Sequence, residues 1–600
     1  MMTEDKYIVG DIEVAMRKAN PLSEAEYPIP ALNNHSVVYK KGCIIEKGHM
    51  PLPVDIEHIQ DIAIPLRDGT TVYGDLYRKQ GEDPVPVILV YTMYSKQGGN
   101  FNKNFTVCNT GFPKSQVSGL QCFESPDPAY WCQYGYAICI VDQRGIDHSG
   151  GNLVFMGKQA GEDVYDVIEF LAEQDFCSGK VTMMGNSQLA MIQWTAAEAK
   201  PPHLAAIAPF EGLRDEYRDC VCRGGIPNTV FHDTDIMAYL YGNNQFEDIS
   251  TMLKKYPLIN EYWDDKVAKL SDVTIPAYVV ASWTHSIHTK NSINGFRELG
   301  STDKWLRIHN THEWGDMDTK ENADDLRKFF DHFLKGIDNG WEKTPHVRYA
   351  VLDFNAKTDV FKSGDTYPAV QTDTKMLYLD ASNGTMSPIC PKSEAKAVYD
   401  GKSGNVKACT RFEYKITEEM EIHGASNIRL WMSTDMGNDA DLYACLYKKD
   451  KKGKVRYHIV FPGFRKKLDF ICKLIPKSKQ LPGGPIYTGP NGRIRASHRK
   501  LDNRLSTDLE PVLTHDELQM LTPNTPVQID LGMWPTGMLL HPGETLVLEI
   551  AGHVAGPVAE ARATNDKPVE KMKSANEGLH TIYTGGEMSS VLFLPIVKGK

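Results

Sequence analysis

The first half of the chain alternates unbroken apolar runs with segments in which apolar residues recur at helical spacing. Residues 85–91 and 136–141 are almost continuously apolar, as strands buried on both faces of a sheet must be. The segment that follows repeats its apolar residues at the spacing of one helix face: Val164, Val167, Ile168 and Leu171. A strand, this helix and the apolar run at 181–184 predict a βαβ unit.

The alternation continues to about residue 345. Apolar runs at residues 204–208, 278–281 and 306–308 predict three more strands. A last helix is predicted where apolar residues share one face: Leu326, Phe329, Phe330, Phe333 and Leu334. Together these elements predict a doubly wound α/β sheet over residues 60–210 and 273–345, after an N-terminal extension over residues 1–59.

One long segment, residues 211–272, interrupts the alternation. It contains a helix-like stretch at residues 246–256, and it enters and leaves next to the carboxyl ends of predicted strands. Ligands bind at that edge of open α/β sheets. We therefore expect this segment to form a helical lid over a site.

Beyond residue 345 the pattern changes to short alternating strands that are separated by turn dipeptides. Examples of these dipeptides are Asn383-Gly384, Pro542-Gly543 and Gly585-Gly586. Many short strands with regular turn signals are typical of all-β domains. Residues 346–600 are therefore predicted to form a β-sandwich.

Composition narrows the function classes. The chain has 600 residues and a formal net charge of −11 with acids and bases mixed throughout, so we expect neither nucleic acid nor an anionic membrane as a partner. No apolar run approaches the ~18 residues of a membrane span, and no signal segment follows the first residues. The twelve cysteines show no paired spacing. A cytoplasmic protein without disulfides or a metal site is expected; the oligomeric state stays open.

Ser187 marks the most informative local pattern. An apolar strand runs through Gly185 and Ser187 directly into a helix-forming segment, which is typical of a nucleophile elbow, where a strained turn lifts a serine hydroxyl above the sheet edge. Ala190 stands where the usual motif has its second glycine. Because a Gly-x-Ser triplet is common by chance, the surrounding residues must support the interpretation.

Acyl transfer by a serine also needs a base and donors for the oxyanion. His312 lies just beyond the predicted strand at 306–308, in the chain order serine, acid, histidine that this arrangement requires. The backbone N–H of Gln188 follows the nucleophile, and Tyr94 follows an early strand. We predict that these two groups donate to the oxyanion, although an aromatic residue at a strand end also suits simple packing.

Several motifs resemble the cocaine-esterase-like branch of the α/β-hydrolases, to which Xaa-Pro dipeptidyl-peptidases and α-amino-acid ester hydrolases are similar. The matching segments are residues 64–69, 142–151, 176–181, 193–194, 494–499, 531–537 and 580–586. The resemblance implies an α/β-hydrolase with a C-terminal jelly roll. It also implies that Ser187 is the nucleophile, His312 the base, and Tyr94 with the Gln188 N–H the oxyanion donors.

The chain departs from that family at the acid of the triad. Where the family usually has an aspartate after the strand at 278–281, this chain has His285, and Gln188 stands where a tyrosine is frequent. Glu211 is our first choice for the missing acid because it follows the strand at 204–208. The alternatives nearer to His312 in sequence are Glu313, Asp316 and Asp318, and a further alternative is that no acid orients His312. His285 is a candidate substrate-binding group or second base.

We therefore expect a serine hydrolase that cleaves an ester, or with less support an amide, of a mid-sized organic acid through an acyl-enzyme. No metal or organic cofactor is expected, and Trp283 is predicted to form an apolar wall of the substrate pocket. The alternative is a non-hydrolytic enzyme of the same fold, a lyase, isomerase or cyclase of secondary metabolism, which the altered acid position motivates. A protein without catalysis that binds a carbohydrate or a partner has less support, because serine and histidine are both present.

Overall fold

A computed structural model describes residues 6–99, 110–285, 287–354, 360–476, 479–481, 484–558 and 574–598. The chain divides into two compact units. The first comprises Met1–Glu216, Thr229–Arg307 and Thr311–His346, and the second comprises Tyr217–Asn228, Ile308–Asn310 and Val347–Lys600. The predicted boundary near residue 345 lies next to the division after His346.

The first unit contains a mixed sheet whose centre is parallel. Val85–Thr92 pairs in parallel with Ala137–Asp142 and with Cys177–Asn186, and the strands on one side of it are antiparallel. Across the sheet the strands follow the order Lys304–His309, Ala277–Ser282, Leu204–Phe210, Cys177–Asn186, Val85–Thr92, Ala137–Asp142, Thr71–Lys79, Ile56–Pro65 and Ser36–Tyr39. The α/β class predicted from the sequence is confirmed.

Helices connect the parallel strands. Lys158–Ala172 buries Val164, Val167, Ile168 and Leu171, the residues whose spacing predicted it. The other helices of this unit are Pro128–Cys132, Gln188–Ala199, Ile249–Lys255, Glu261–Asp265, Thr289–Glu298, Glu313–Asp316 and Lys320–Lys335. The short elements are the strands Ile8–Val9, Ile12–Glu13, Met16–Lys18 and Gln245–Glu247, the π-helical turn Phe231–Ile236, and the 3₁₀ turns Leu22–Glu24, Lys114–Gln116, Met237–Tyr239 and Trp341–Lys343.

The segment predicted as a helical lid is less helical than expected. The predicted helix at 246–256 reduces to Ile249–Lys255, because Gln245–Glu247 pairs with Met16–Lys18 as a strand. Asp248 begins the helix, and its side chain accepts a hydrogen bond from the Thr251 N–H, as an N-cap does. Residues 217–228 belong to the second unit, where they form the turns Tyr217–Val221 and Arg223–Gly225.

The second unit is built of strands, as predicted, but its pairings close into a barrel. The hydrogen-bonded order runs from Met420–Thr434 through Val527–Leu540, Asn491–Arg495, Asp441–Lys449, Thr545–Ala551, Cys409–Lys415, Thr385–Ser387, Thr372–Asp380 and Val591–Val597 back to Met420–Thr434. Outside this ring lie the strands Val347–Val351, Val360–Gly364, Ala395–Asp400, His458–Ile459, Ile486–Tyr487 and Leu579–Thr584, the helix Arg465–Leu474, and the 3₁₀ turns Pro462–Phe464, Ala496–His498 and Gly586–Met588.

The predicted jelly-roll sandwich is corrected here, because the strands of this unit pair around a closed barrel. Met420–Thr434 is long enough to pair with three strands, and a register shift between Gly424 and Ser426 bends it. A bulge increases the local twist of a strand, which lets a sheet meet its own edge. Alternation along short segments indicates strands, but it does not report which strands meet.

Buried histidines in the second unit predict sensitivity to acid. His423 is fully buried and packs against Tyr349 with ring centroids 4.2 Å apart. Burial, and secondarily the charge of Lys362, lowers its pKa from 6.5 to about 4. The unfolded chain therefore binds a proton more readily than the folded one, so stability is lost as the pH falls from 6.5 towards 4.

We expect His423→Phe to remove part of the stability that the protein loses at acidic pH. Protonation of the His423 imidazole destabilises the fold by on the order of 3 kcal/mol. The drop in the thermal unfolding midpoint between pH 7 and pH 4.5 is therefore expected to be smaller in the variant than in the wild type. Substitution of the exposed His35 is the control and is expected to leave the drop unchanged; an equal drop in His423→Phe contradicts the prediction.

The described residues bear on the expectations about membrane spans and disulfides. No helix among them is long and apolar enough to cross a bilayer. The eleven cysteines that these ranges contain are all free. Most of them are buried or half-buried, as small apolar residues are.

Candidate active site

Ser187 lies at a strained turn between a strand and a helix. It follows Cys177–Asn186 and precedes Gln188–Ala199, with φ 53° and ψ −116°. A non-glycine residue with positive φ is unfavourable unless the surroundings impose it, and such strain concentrates at functional sites. Its N–H donates to the Phe210 carbonyl at 3.0 Å, which helps to hold the turn at the carboxyl edge of the sheet.

Small residues allow this turn to form. A Cβ atom at Gly185, where φ is 149°, would lie 2.5 Å from the Cβ of Leu189. On the other side, a Cβ at Gly212 would lie 2.7 Å from the Cβ of Ala190. Ala190 is therefore accommodated in place of the usual glycine because Gly212 supplies the missing space.

Tyr94 lies beside the predicted nucleophile. It follows the strand Val85–Thr92, is 4% exposed, and its phenol interacts with the Ser187 side chain. Burial, and secondarily the charge of Glu124, raises the pKa of its phenol well above the usual range. The phenol therefore keeps its proton and remains a hydrogen-bond donor. The Gln188 N–H lies in the first turn of the helix that begins after Ser187, where N–H groups have no intrahelical acceptor.

Glu124 is a site residue that the sequence analysis missed. Its side chain interacts with that of Tyr94, and it accepts a hydrogen bond of 3.1 Å from the Trp314 indole N–H. Its backbone φ is 62°, and its carbonyl accepts from the Asn186 N–H at 3.2 Å. Burial, followed by the charge of Glu313, raises its pKa well above the usual range. No motif or periodicity in the sequence distinguishes this glutamate.

His312 lies at the start of the helix Glu313–Asp316. Its Nδ1 faces the Trp314 backbone N–H at 3.4 Å, which is long for a hydrogen bond and leaves the tautomer of the ring unassigned. The ring makes edge contacts with Trp314 and His285, with centroids 4.6 and 6.1 Å away. The structure thus brings two of the predicted site histidines together.

His285, which stands in place of the family's aspartate, pairs with Glu313. Its Nε2 lies 3.2 Å from Glu313 Oε1, and its Nδ1 accepts from the backbone N–H groups of Ile287 and His288. Burial opposes ionisation of Glu313, but the charge and hydrogen bond of His285, followed by the charges of His288 and His312, lower its pKa to about 2. Glu313 is therefore an anion near neutral pH.

His288 completes this group as a neutral ring. It stacks on His285 with centroids 4.5 Å apart, and its Nε2 lies 3.8 Å from Glu313 Oε2. Burial lowers its pKa to about 3.

The other predicted acids have different surroundings. Glu211 has φ 52° and is 1% exposed, and burial, with the charges of Glu313 and Asp316, raises its pKa well above the usual range. Asp316 forms a two-bond ion pair with Arg307. Burial, followed by the charge of Asp127, raises the pKa of Asp318. Of Glu211, Glu313 and Asp318, Glu313 is the one whose pKa is lowered by histidines, first of all His285.

Trp283 directly follows the strand Ala277–Ser282 and is 1% exposed. Its predicted role as a wall of the substrate pocket stays a prediction.

His285, His288 and Glu313 could together hold a metal ion, since their ligand atoms lie within 4.8 Å of one another. The hydrogen bonds of His285 oppose this. Because Nδ1 accepts two backbone N–H groups, the neutral ring carries its proton on Nε2, the atom that would have to bind the ion. The arrangement suits a neutral histidine that donates to a carboxylate better than a metal site.

Together, the central parallel sheet, the strained serine turn at its carboxyl edge and the histidine after a later strand define an α/β-hydrolase. Residues 68–246 match the model of the X-Pro dipeptidyl-peptidase (S15 family), and residues 339–592 match that of the X-Pro dipeptidyl-peptidase C-terminal non-catalytic domain.

Comparison with individual proteins agrees with the assignment of the chain to the α/β-hydrolases. A CocE/NonD family hydrolase from Staphylococcus aureus is 30% identical, with a TM-score of 0.81, and the alignment covers 91% of this chain and 94% of that one. Cocaine esterase from a Rhodococcus species is 35% identical over 162 residues, which is 26% of this chain and 24% of that enzyme. An α-amino acid ester hydrolase shares the fold, with a TM-score of 0.64 at 16% identity over 90% of this chain and 96% of that one. The chain belongs to the CocE/NonD family of hydrolases.

Proposed function

We propose that this hydrolase cleaves carboxylic esters through an acyl-enzyme formed on Ser187. The observation that supports this most strongly is the turn at Ser187, which holds a non-glycine residue at φ 53° between strand and helix. Such a conformation is unfavourable in a simple connection and is useful where a hydroxyl must be presented to a substrate. The interaction of Tyr94 with Ser187 places a phenol beside the reacting oxygen.

In the proposed mechanism, His312 takes the proton from Ser187 as the hydroxyl attacks the acyl carbon. The negative charge that develops on the substrate oxygen is stabilised by the Gln188 N–H and the Tyr94 phenol. Glu124, whose side chain interacts with Tyr94, is proposed to position the phenol. His312 then returns the proton to the leaving alcohol, and water hydrolyses the acyl-enzyme.

Glu313 is proposed to supply the negative charge that stabilises the protonated His312. The charge and hydrogen bond of His285 are the main causes that lower the pKa of Glu313, whereas burial, followed by the charges of Glu313 and Asp316, raises the pKa of Glu211. A carboxyl group that gives up its proton less readily offers less negative charge to an imidazolium. Glu313, with His285 as its hydrogen-bond donor, is thus the favoured replacement for the missing aspartate, and Glu211 remains the alternative.

An ester is preferred to an amide as the substrate because cocaine esterase, which is 35% identical over 162 residues, is named for ester cleavage. Trp283 is proposed to contact the acyl group.

The reaction class is tested by turnover of 4-nitrophenyl acetate in H₂¹⁸O. We expect a rapid first release of nitrophenol equal to the amount of enzyme, a Ser187 peptide heavier by one acetyl group, and ¹⁸O in the acetate, because water attacks the acyl carbon in the second step. A lyase, isomerase or cyclase would show neither the burst nor the acetylated serine. Their absence from fully folded protein contradicts the proposal.

A further inference from the structure

The helix Arg465–Leu474 in the second unit has an inward face that is already packed. Leu468 and Cys472 lie against a small cluster that includes Ile459 and Ile486. The Tyr457 hydroxyl donates to Asp469 at 2.8 Å and ties the same helix to its neighbours. The position of the helix on the domain is thus explained by these contacts.

A second apolar row on this helix faces outward. Phe470 is 64% exposed and Leu474 is 68% exposed, and Ile471 and the preceding Phe464 are 40% and 37% exposed. At 3.6 residues per turn these four side chains lie within about 120° of one another around the helix axis. Large apolar side chains grouped at such exposure mark an interaction surface, whereas single ones do not.

Basic residues border and interrupt this outward row. Lys466 and Lys473 lie along one side of it, and Lys467 lies within it, where its aliphatic stem can extend the apolar surface while its charge stays in water. Over residues 465–479 the sequence has six basic residues, namely Arg465, Lys466, Lys467, Lys473, Lys477 and Lys479, and one acidic residue, Asp469. This local excess of five positive charges contrasts with the net charge of −11 of the whole chain.

We propose that the helix Arg465–Leu474 binds the surface of an anionic lipid bilayer, with Phe470, Ile471 and Leu474 inserted among the acyl chains and the flanking lysines on the headgroups. A helix with aromatic and leucine side chains on one face and lysines beside them lies in the plane of a membrane interface in this way. A second copy of the chain would place the same positive charges opposite one another, which opposes self-association. The expectation of no membrane partner came from charge averaged over the chain, and that average conceals this segment.

The test is sedimentation of the full-length protein with vesicles of phosphatidylcholine alone or with added phosphatidylglycerol. We expect binding to the anionic vesicles, none to the neutral ones, and release at about 1 M salt, where the Debye length falls to about 3 Å. The double variants Phe470→Ser/Leu474→Ser and Lys466→Glu/Lys467→Glu are each expected to lower binding to anionic vesicles at least about tenfold.

A matched control is Leu505→Ser/Leu518→Ser, which removes two exposed leucines from the same unit and is expected to bind as the wild type does. Hydrolysis of 4-nitrophenyl acetate reports that each variant is folded, and vesicle binding does not depend on that activity. The proposal is overturned if the wild type ignores anionic vesicles or if the control loses as much binding as the helix variants. A concentration-dependent dimer that Phe470→Ser/Leu474→Ser abolishes also overturns it.

Discussion

Replacing Ser187 by alanine is expected to abolish covalent labelling by a fluorophosphonate probe and to lower kcat for 4-nitrophenyl acetate by roughly 10⁶-fold. In the proposed mechanism this hydroxyl, at the turn between Cys177–Asn186 and Gln188–Ala199, forms the acyl-enzyme. The substitution removes one oxygen atom from a side chain that is 8% exposed, so the fold is expected to persist. Labelling is measured by mass spectrometry and folding by circular dichroism.

The matched control is Ser301→Ala, because Ser301 is a buried serine of the same unit whose hydroxyl holds a turn by donating to the Thr274 carbonyl. It is expected to keep wild-type labelling and rate. If wild-type protein is never labelled, or if Ser187→Ala is labelled equally well, the nucleophile lies elsewhere. Full activity of Ser187→Ala on an authentic substrate would favour the non-hydrolytic alternative.

The elements that the sequence predicted well are those whose cause is local. The strand at 136–141 is indicated by its own apolar run, and the helix with Val164 and Leu171 is indicated by the helical spacing of its own apolar residues. The turn at Ser187 is also local, since strand, serine and helix follow one another directly in the chain. Such features need no knowledge of distant residues.

The features that the sequence did not predict depend on residues that are far apart in the chain. Glu124 interacts with Tyr94 and Trp314, which come from two distant segments of the chain. The pairing of His285 with Glu313 depends on how two further segments pack, and the closure of the barrel depends on one strand that meets three others. Spacing along a sequence carries no information on such contacts.

The acid of the site is the position where the structure changed our expectation most. The sequence favoured Glu211 because it ends a strand, as the acid does in some α/β-hydrolases. Burial, with the charges of two other carboxylates, raises the pKa of Glu211, whereas neighbouring histidines, first of all His285, lower the pKa of Glu313 to about 2. The opposite directions of these two pKa shifts, which sequence position does not reveal, separate the two candidates.

Glu313→Gln is accordingly expected to lower kcat by roughly 10²–10⁴-fold with little change in KM, since the imidazolium that forms at His312 in the transition state loses its counter-charge. Glu211→Gln, the control, changes a carboxyl group whose pKa is raised by burial and is expected to remain within about tenfold of wild type. The rates are measured from pH 5 to 9, because removal of an anion beside His312 makes that ring harder to protonate. The acid limb of the kcat/KM profile is therefore expected to move to lower pH in Glu313→Gln and to stay in place in Glu211→Gln, whereas a merely structural loss would lower the rate without moving the limb. The opposite pattern, a deep loss in Glu211→Gln with Glu313→Gln close to wild type, would assign the acid to Glu211.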